Sequence, residues 1–215
     1  MKKVITFYVM LLVFMLIVFL NAPIPTKNEA ESTDEIKIQS TEEVSVVTRE
    51  EAMVEMATNQ MNEEFEMINS ISDKKEWFLL YKDIVNKYSY ILDTPETIYD
   101  YYTEDEIYLM QRVIETECFE QSFECKVNVA AVVLNRIESG KFGDSVREVI
   151  TKTNPKQFVY WRKNITEDTK LALEYSFEIE DTTGGCVAFR SDKKINTWGS
   201  WTYQFTDKSG HHFYK

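Results

Sequence analysis

The chain is poor in the residues that metal and disulfide chemistry need. Its 215 residues hold three cysteines, Cys118, Cys125 and Cys186, with no closely spaced pair of the kind that frames a structural zinc, and two histidines, His211 and His212. A disulfide-stapled scaffold is excluded, and neither a metal nor a cofactor is expected. Positive charge is scarce too: 24 Lys and Arg against 36 Asp and Glu leave a net −12. Sequence-independent nucleic-acid binding needs lysines and arginines to displace counterions from phosphates, so no nucleic-acid partner is expected. There is no internal repeat, and the length suits one ordinary domain with appendages rather than two large ones.

Long apolar runs are absent but for one. Lys2 and Lys3 precede a charge-free stretch of 17 residues from Val4 to Leu20. As a helix it would span about 26 Å, near the lower limit for a bilayer core of about 30 Å. Residues 1–22 therefore read as a signal-anchor or a signal peptide, and Pro23, directly after Ala22, is a poor context for cleavage. Lysines ahead of the run place the N-terminus in the cytoplasm. The expectation is a membrane anchor through residues 4–20 with the C-terminal domain extracytoplasmic, or a secreted protein if the segment is cleaved. Residues 23–48, rich in acids, Ser, Thr and Pro and without apolar period, read as a flexible acidic stalk.

Residues 49–102 read as a helical spacer, with helices over Arg49–Ile68, Lys75–Leu92 and a short one from Thr94-Pro95. The second carries Trp77, Leu79, Leu80, Ile84 and Val85 and should bury a face; packing on the C-terminal domain and standing apart from it both stay open. Residues 1–103 contain 18 acids and 9 bases, residues 104–215 contain 18 and 15, so most of the negative charge precedes the last domain, 103–215.

That domain opens on Thr103-Glu104-Asp105-Glu106, a capping-box pattern predicting a helix to about Cys118. Ile107, Met110, Val113 and Ile114 form one stripe; Glu117 continues it, while Glu115 points to the opposite face. A carboxyl at the end of an apolar seam loses solvation of its charged form, its pKa rises, and it can serve as a general acid. The other reading makes Glu117 an exposed last-turn residue beside Glu120 and Glu124. The next helix, about Lys126 to Glu138, is apolar nearly all round and should be central; its alanines permit close approach and Gly140 ends it. A helix over Glu167–Glu178 starts at Asn164-Ile165-Thr166, which also fits a glycosylation sequon. Cys186–Phe189 and the alternating Trp201–Thr206 read as strands, with a tight turn or close backbone approach at Gly184-Gly185.

The stretch IETECFEQSFECKVNVAAVVLNRIESGKFGDSVREVI, from Ile114 to Ile150, resembles the cell-wall hydrolase family of SleB and CwlJ type, the spore cortex-lytic enzymes and their relatives. Asn154-Pro155-Lys156-Gln157-Phe158, Thr183-Gly184-Gly185-Cys186-Val187-Ala188-Phe189 and His211-His212-Phe213-Tyr214 continue the resemblance in order, over about 110 residues. It implies an α+β fold, a small lysozyme-like helical domain with a short antiparallel sheet, acting on the glycan strands of peptidoglycan as a lytic transglycosylase or muramidase-like hydrolase. Glu117 falls on the family's catalytic glutamate. Glu124 falls on a second recurrent acid, readable as a second carboxylate or as a structural residue capping the central helix. Gln157, Phe158, Tyr160 and Trp161 are candidate substrate-binding residues, as are Gly184, Gly185 and His211; for His211, hydrogen bonding within a closing strand is the alternative.

The family usually has glycine or small residues at Cys118, Glu120 and Cys125, an acid at Gln121 and a small apolar residue at Asn128. These departures keep a second class of function open, a non-catalytic peptidoglycan-binding or envelope scaffold protein. Cleavage of peptide or amide bonds would ordinarily need zinc or a cysteine paired with histidine. Cys118, Cys125 and His211 declare no such geometry, although a Cys118–Cys125 disulfide is conceivable if the loop folds back.

Overall fold

The computed structural model describes residues 48–93, 95–153, 158–191 and 199–215. The expected anchor, nearly all of the stalk, Thr94 and Gln157 lie outside them. The chain divides into two units, Met1–Thr48 and Arg49–Lys215, and the second carries all the elements described below. Among the described residues no helix is long and apolar enough to cross a membrane.

The helix of the capping box, α3 (Glu104–Glu117), forms as its sequence dictates: the Thr103 N–H donates to Glu106 Oε2 at 3.0 Å and the Glu106 N–H to Thr103 Oγ1 at 3.4 Å. Ile107, Met110, Val113 and Ile114 are all buried, and so are Gln111 and Glu115 on other faces. The central helix, α4 (Phe123–Ser139), begins earlier than the apolar run suggests. Its N-cap is Ser122, whose Oγ accepts the Cys125 N–H at 3.3 Å, so the capping expected of Glu124 is corrected. Gly140, at φ 63°, closes it in the left-handed conformation that a side chain disfavours.

Against α4 lies α6 (Glu167–Glu178). Ser176 Oγ lies 2.9 Å from both the Val127 and Ala172 carbonyl oxygens, an approach allowed by the buried alanines 130, 131 and 172. A one-and-a-half-turn helix, α5 (Val146–Thr151), was not foreseen; it buries Val146, Val149 and Ile150 in the main core.

The N-terminal helices pack on the C-terminal domain rather than standing apart from it. The first, α1 (Arg49–Ile68), packs on α2 (Lys74–Lys87) through Met61, Ile68, Ile84 and Tyr88. In turn α2 inserts Phe78, fully buried, among Val127, Ala172 and Tyr175, and so packs on α4 and α6. It ends at Lys87 rather than Leu92, and the short helix expected from Thr94-Pro95 is a 3-10 turn over Ile98–Asp100.

Three short strands, β1 (Ala188–Arg190), β2 (Tyr203–Thr206) and β3 (His212–Tyr214), make an antiparallel sheet in the order β1-β3-β2. Phe213 pairs with both Phe189 and Phe205 and stacks on the latter at 4.8 Å. Trp201, Tyr203 and Phe205 are half-buried and Thr202, Gln204 and Thr206 exposed, the alternation expected of a sheet laying one face on a core. The result is a helical domain with a small three-stranded antiparallel sheet.

Candidate active site

Glu117 is the last residue of α3 and half-buried. Its Oε1 accepts the Val159 N–H at 2.8 Å. Close by is Arg136, a buried cation from the last turn of α4; burial holds its guanidinium down to about 10, against the upward pull of the Glu117 carboxylate. Arg136 Nε donates to the Val187 carbonyl, and its guanidinium lies 4.3 Å from the ring centre of Phe158 and 4.8 Å from that of Phe142. The expectation is a carboxyl at the end of an apolar seam. The seam beneath Glu117 is apolar, but the carboxyl projects past it to a peptide N–H and a cation.

One face of α3 holds the backbone of residues 162–163. Tyr108 Oη donates to Lys163 O at 3.0 Å, Arg112 Nε to Arg162 O at 3.0 Å, and the Arg162 N–H to Thr116 Oγ1 at 3.1 Å. These side chains are four residues apart, one above another on the helix. Glu115 does point away from Glu117, yet only 1% of it is exposed. Its Oε2 accepts the Thr166 N–H at 3.1 Å and the hydroxyls of Thr166 and Thr169 at 2.8 and 2.6 Å. Burial works against its charge, but those donors and Lys126 outweigh it and hold the carboxyl below its usual range. Thr166 is the N-cap residue of α6, so Asn164-Ile165-Thr166 does mark a helix start, with its hydroxyl given to Glu115 rather than to the helix.

The remaining candidates divide. Phe158 belongs to the buried core beneath Arg136, Tyr160 is half-buried under the Arg112 guanidinium at 5.5 Å, and Trp161 is 64% exposed beside Arg162. Gly184 and Gly185 have φ of 62° and 92° in a turn organised by Asp181, whose carboxylate accepts the N–H groups of Thr183 and Gly185 and the Asn135 amide. A Cβ on either glycine would meet only the Lys215 side chain, so the turn, not a close backbone approach, requires them. Glu124 is half-buried and pairs with the exposed Lys208 at 3.3 Å. Asn128 is buried and accepts a 2.7 Å hydrogen bond from the Thr182 hydroxyl. Glu120 is exposed at φ 59°, a conformation glycine takes without strain.

Arg136 and Val159 were missed. A lone arginine inside an otherwise apolar helix was the available signal, since a buried cation requires a partner. No sequence signal marks a backbone N–H. Spacing along the chain does not show that cysteines and a histidine come together. Cys118, Cys125 and His211 are buried together with their ligand atoms all within 4.8 Å of one another. All three cysteines are free.

Residues 120–215 match the family model described as cell wall hydrolase. Among solved structures, the catalytic domain of the Bacillus cereus SleB protein is similar at 25% identity over 53% of this chain and 92% of that one, with a TM-score of 0.43. The catalytic domain of the germination-specific lytic transglycosylase SleB from Bacillus anthracis is similar at 22% identity over 54% and 98%, with a TM-score of 0.44. The comparison with curated proteins gave no match. The family match begins at Glu120, beyond Glu117.

Proposed function

We propose that the C-terminal domain, whose residues 120–215 match the cell wall hydrolase family model, acts on peptidoglycan and cleaves the glycan strand with Glu117 as its general acid. The observation that carries the reading is the placement of Glu117 itself: the half-buried last residue of a buried helix, held by the Val159 N–H at 2.8 Å beside Arg136. The proton of the Glu117 carboxyl passes to the glycosidic oxygen as the C1–O bond breaks and the electron pair leaves with the oxygen. The C6 hydroxyl of the muramic acid attacks C1, closes a 1,6-anhydro ring, and gives its proton to the Glu117 carboxylate, which restores the acid. Arg136 offsets the negative charge on Glu117 between the two transfers.

A hydrolytic route would use a second carboxylate at about 5 Å for retention or about 6.5–9.5 Å for inversion. The pairing of Glu124 with Lys208 and its place in the first turn of α4, where an acid is favoured, support the single-acid route. A positioned acid contributes about 10²- to 10⁴-fold. Glu117→Gln is thus expected to lower muropeptide release from purified sacculi at least about 100-fold with little change in thermal unfolding; full activity would sink the assignment. Anhydro-ended products mark a transglycosylase and reducing ends a hydrolase, while protein that pellets with sacculi without products is a binding protein. We also propose that residues 4–20 anchor the chain with this domain outside the membrane, which protease access to intact cells would check.

A further inference from the structure

We propose that Cys118, Cys125, His211 and Asp207 form a structural zinc site that ties the α3–α4 loop to the start of β3. The ligands come from three places. Cys118 follows Glu117 directly and caps α3, Cys125 lies in the first turn of α4, and His211 precedes β3. Cys125 Sγ and His211 Nδ1 are 3.4 Å apart. Zinc bonds of about 2.3 Å to sulfur and about 2.0 Å to nitrogen, at a tetrahedral angle, set those two atoms about 3.5 Å apart.

The fourth ligand is an orphan. Asp207 Oδ1 accepts the N–H groups of Ser209 and His211, each at 2.9 Å, which fixes the turn. Its Oδ2 is buried, makes no hydrogen bond of normal geometry and lies 3.8 Å from His211 Nδ1, with the Asn128 amide also facing the carboxylate. A buried carboxylate oxygen left unpaired is costly, and a cation at this point removes that cost.

A nucleophilic triad does not fit the same atoms. Relay through a histidine needs the nucleophile and the carboxylate on opposite ring nitrogens, whereas Cys125 and Asp207 both address Nδ1. Four protein ligands in a buried cluster describe a closed, structural site rather than an open, catalytic one. Zinc binding displaces the thiol protons of Cys118 and Cys125 to solvent; nothing is oxidised or reduced.

The test uses the full chain, reduced, stripped with a chelator and titrated with Co²⁺. One equivalent is expected to give thiolate-to-cobalt charge-transfer absorption and tetrahedral d–d bands, which Zn²⁺ bleaches while raising the unfolding temperature. Cys118→Ser and Cys125→Ser should each weaken binding at least about 100-fold, more than loss of an outer partner typically does; Cys186→Ser should keep both responses. If the serine variants do not fold, the spectrum of the wild-type chain decides. A reduced wild-type chain without tetrahedral bands overturns the site, and so do bands that survive in the Cys118→Ser/Cys125→Ser double variant. Isolation of a Cys118–Cys125 disulfide whose reduction yields no metal binding does the same.

Discussion

Glu115 and Glu117 flank Thr116 on α3 and meet opposite surroundings. Glu115 is enclosed by Thr166 and Thr169, and replacing it with glutamine puts an amide N–H₂ among donors that need an acceptor. Loss of charge-assisted bonds at a buried site costs about 1.5–3 kcal/mol each at most, so Glu115→Gln is expected to lower unfolding free energy by about that amount in a denaturant titration. It is therefore no neutral control for Glu117. Because its folded pKa is depressed, its contribution is present above the unfolded pKa and is lost as pH falls through the folded one. Glu178 has the opposite sign. Burial first, with the Glu174 charge and against Lys82, pushes it from 4.5 up to about 7. The folded chain then keeps a proton that the unfolded chain has released, and between those values stability falls as pH rises. Thermal melts should show Glu178→Gln gaining stability over wild type on going from about pH 5 to about pH 8; parallel curves would contradict this.

At the scale of elements, α2 meets α6 and the residues just after it through Lys75–Asp168 and Lys74–Glu180 pairs at 2.7 Å and through Lys82–Glu174, beside one deeply inserted ring, Phe78. Exposed ion pairs contribute about 0–1 kcal/mol, whereas truncating a buried phenylalanine costs about 3–5 kcal/mol. Phe78→Ala should therefore lower the stability of the whole Arg49–Lys215 unit far more than Lys75→Ala, measured by equilibrium denaturation. Equal small effects would mean that α2 is only loosely attached. The sequence makes α3 legible because its capping box and apolar stripe are local signals. The start of α4 was less so, since Ser122 caps it while polar residues precede the apolar run. Six-residue α5 is too short to show a period, and β1 starts two residues beyond its expected start, although the Val187 N–H already donates to the Tyr214 carbonyl of β3 at 2.9 Å.

At the scale of the molecule, the site depends on contacts that no local pattern carries. The sequence singles out Glu117 by its place on the helix and in the motif, but Val159 is 42 residues away and Arg136 lies on a different helix. The ligand cluster joins Cys125 to a histidine 86 residues later, beyond any spacing rule for short metal motifs. Gly184-Gly185 and Phe158 were recognisable as motif positions, yet only packing shows one as a turn held by Asp181 and the other as core.

The ladder of Tyr108, Arg112 and Thr116 makes α3 a ruler against which the distant loop is measured. Its graduations are helical turns of about 5.4 Å, and each residue added or removed rotates the remainder of the helix by about 100°. A deletion between Tyr108 and Glu117 would leave the acid facing another direction from the rungs that hold its loop. Across this span the chain can change side chains one at a time, but its length is fixed by the phase of the helix.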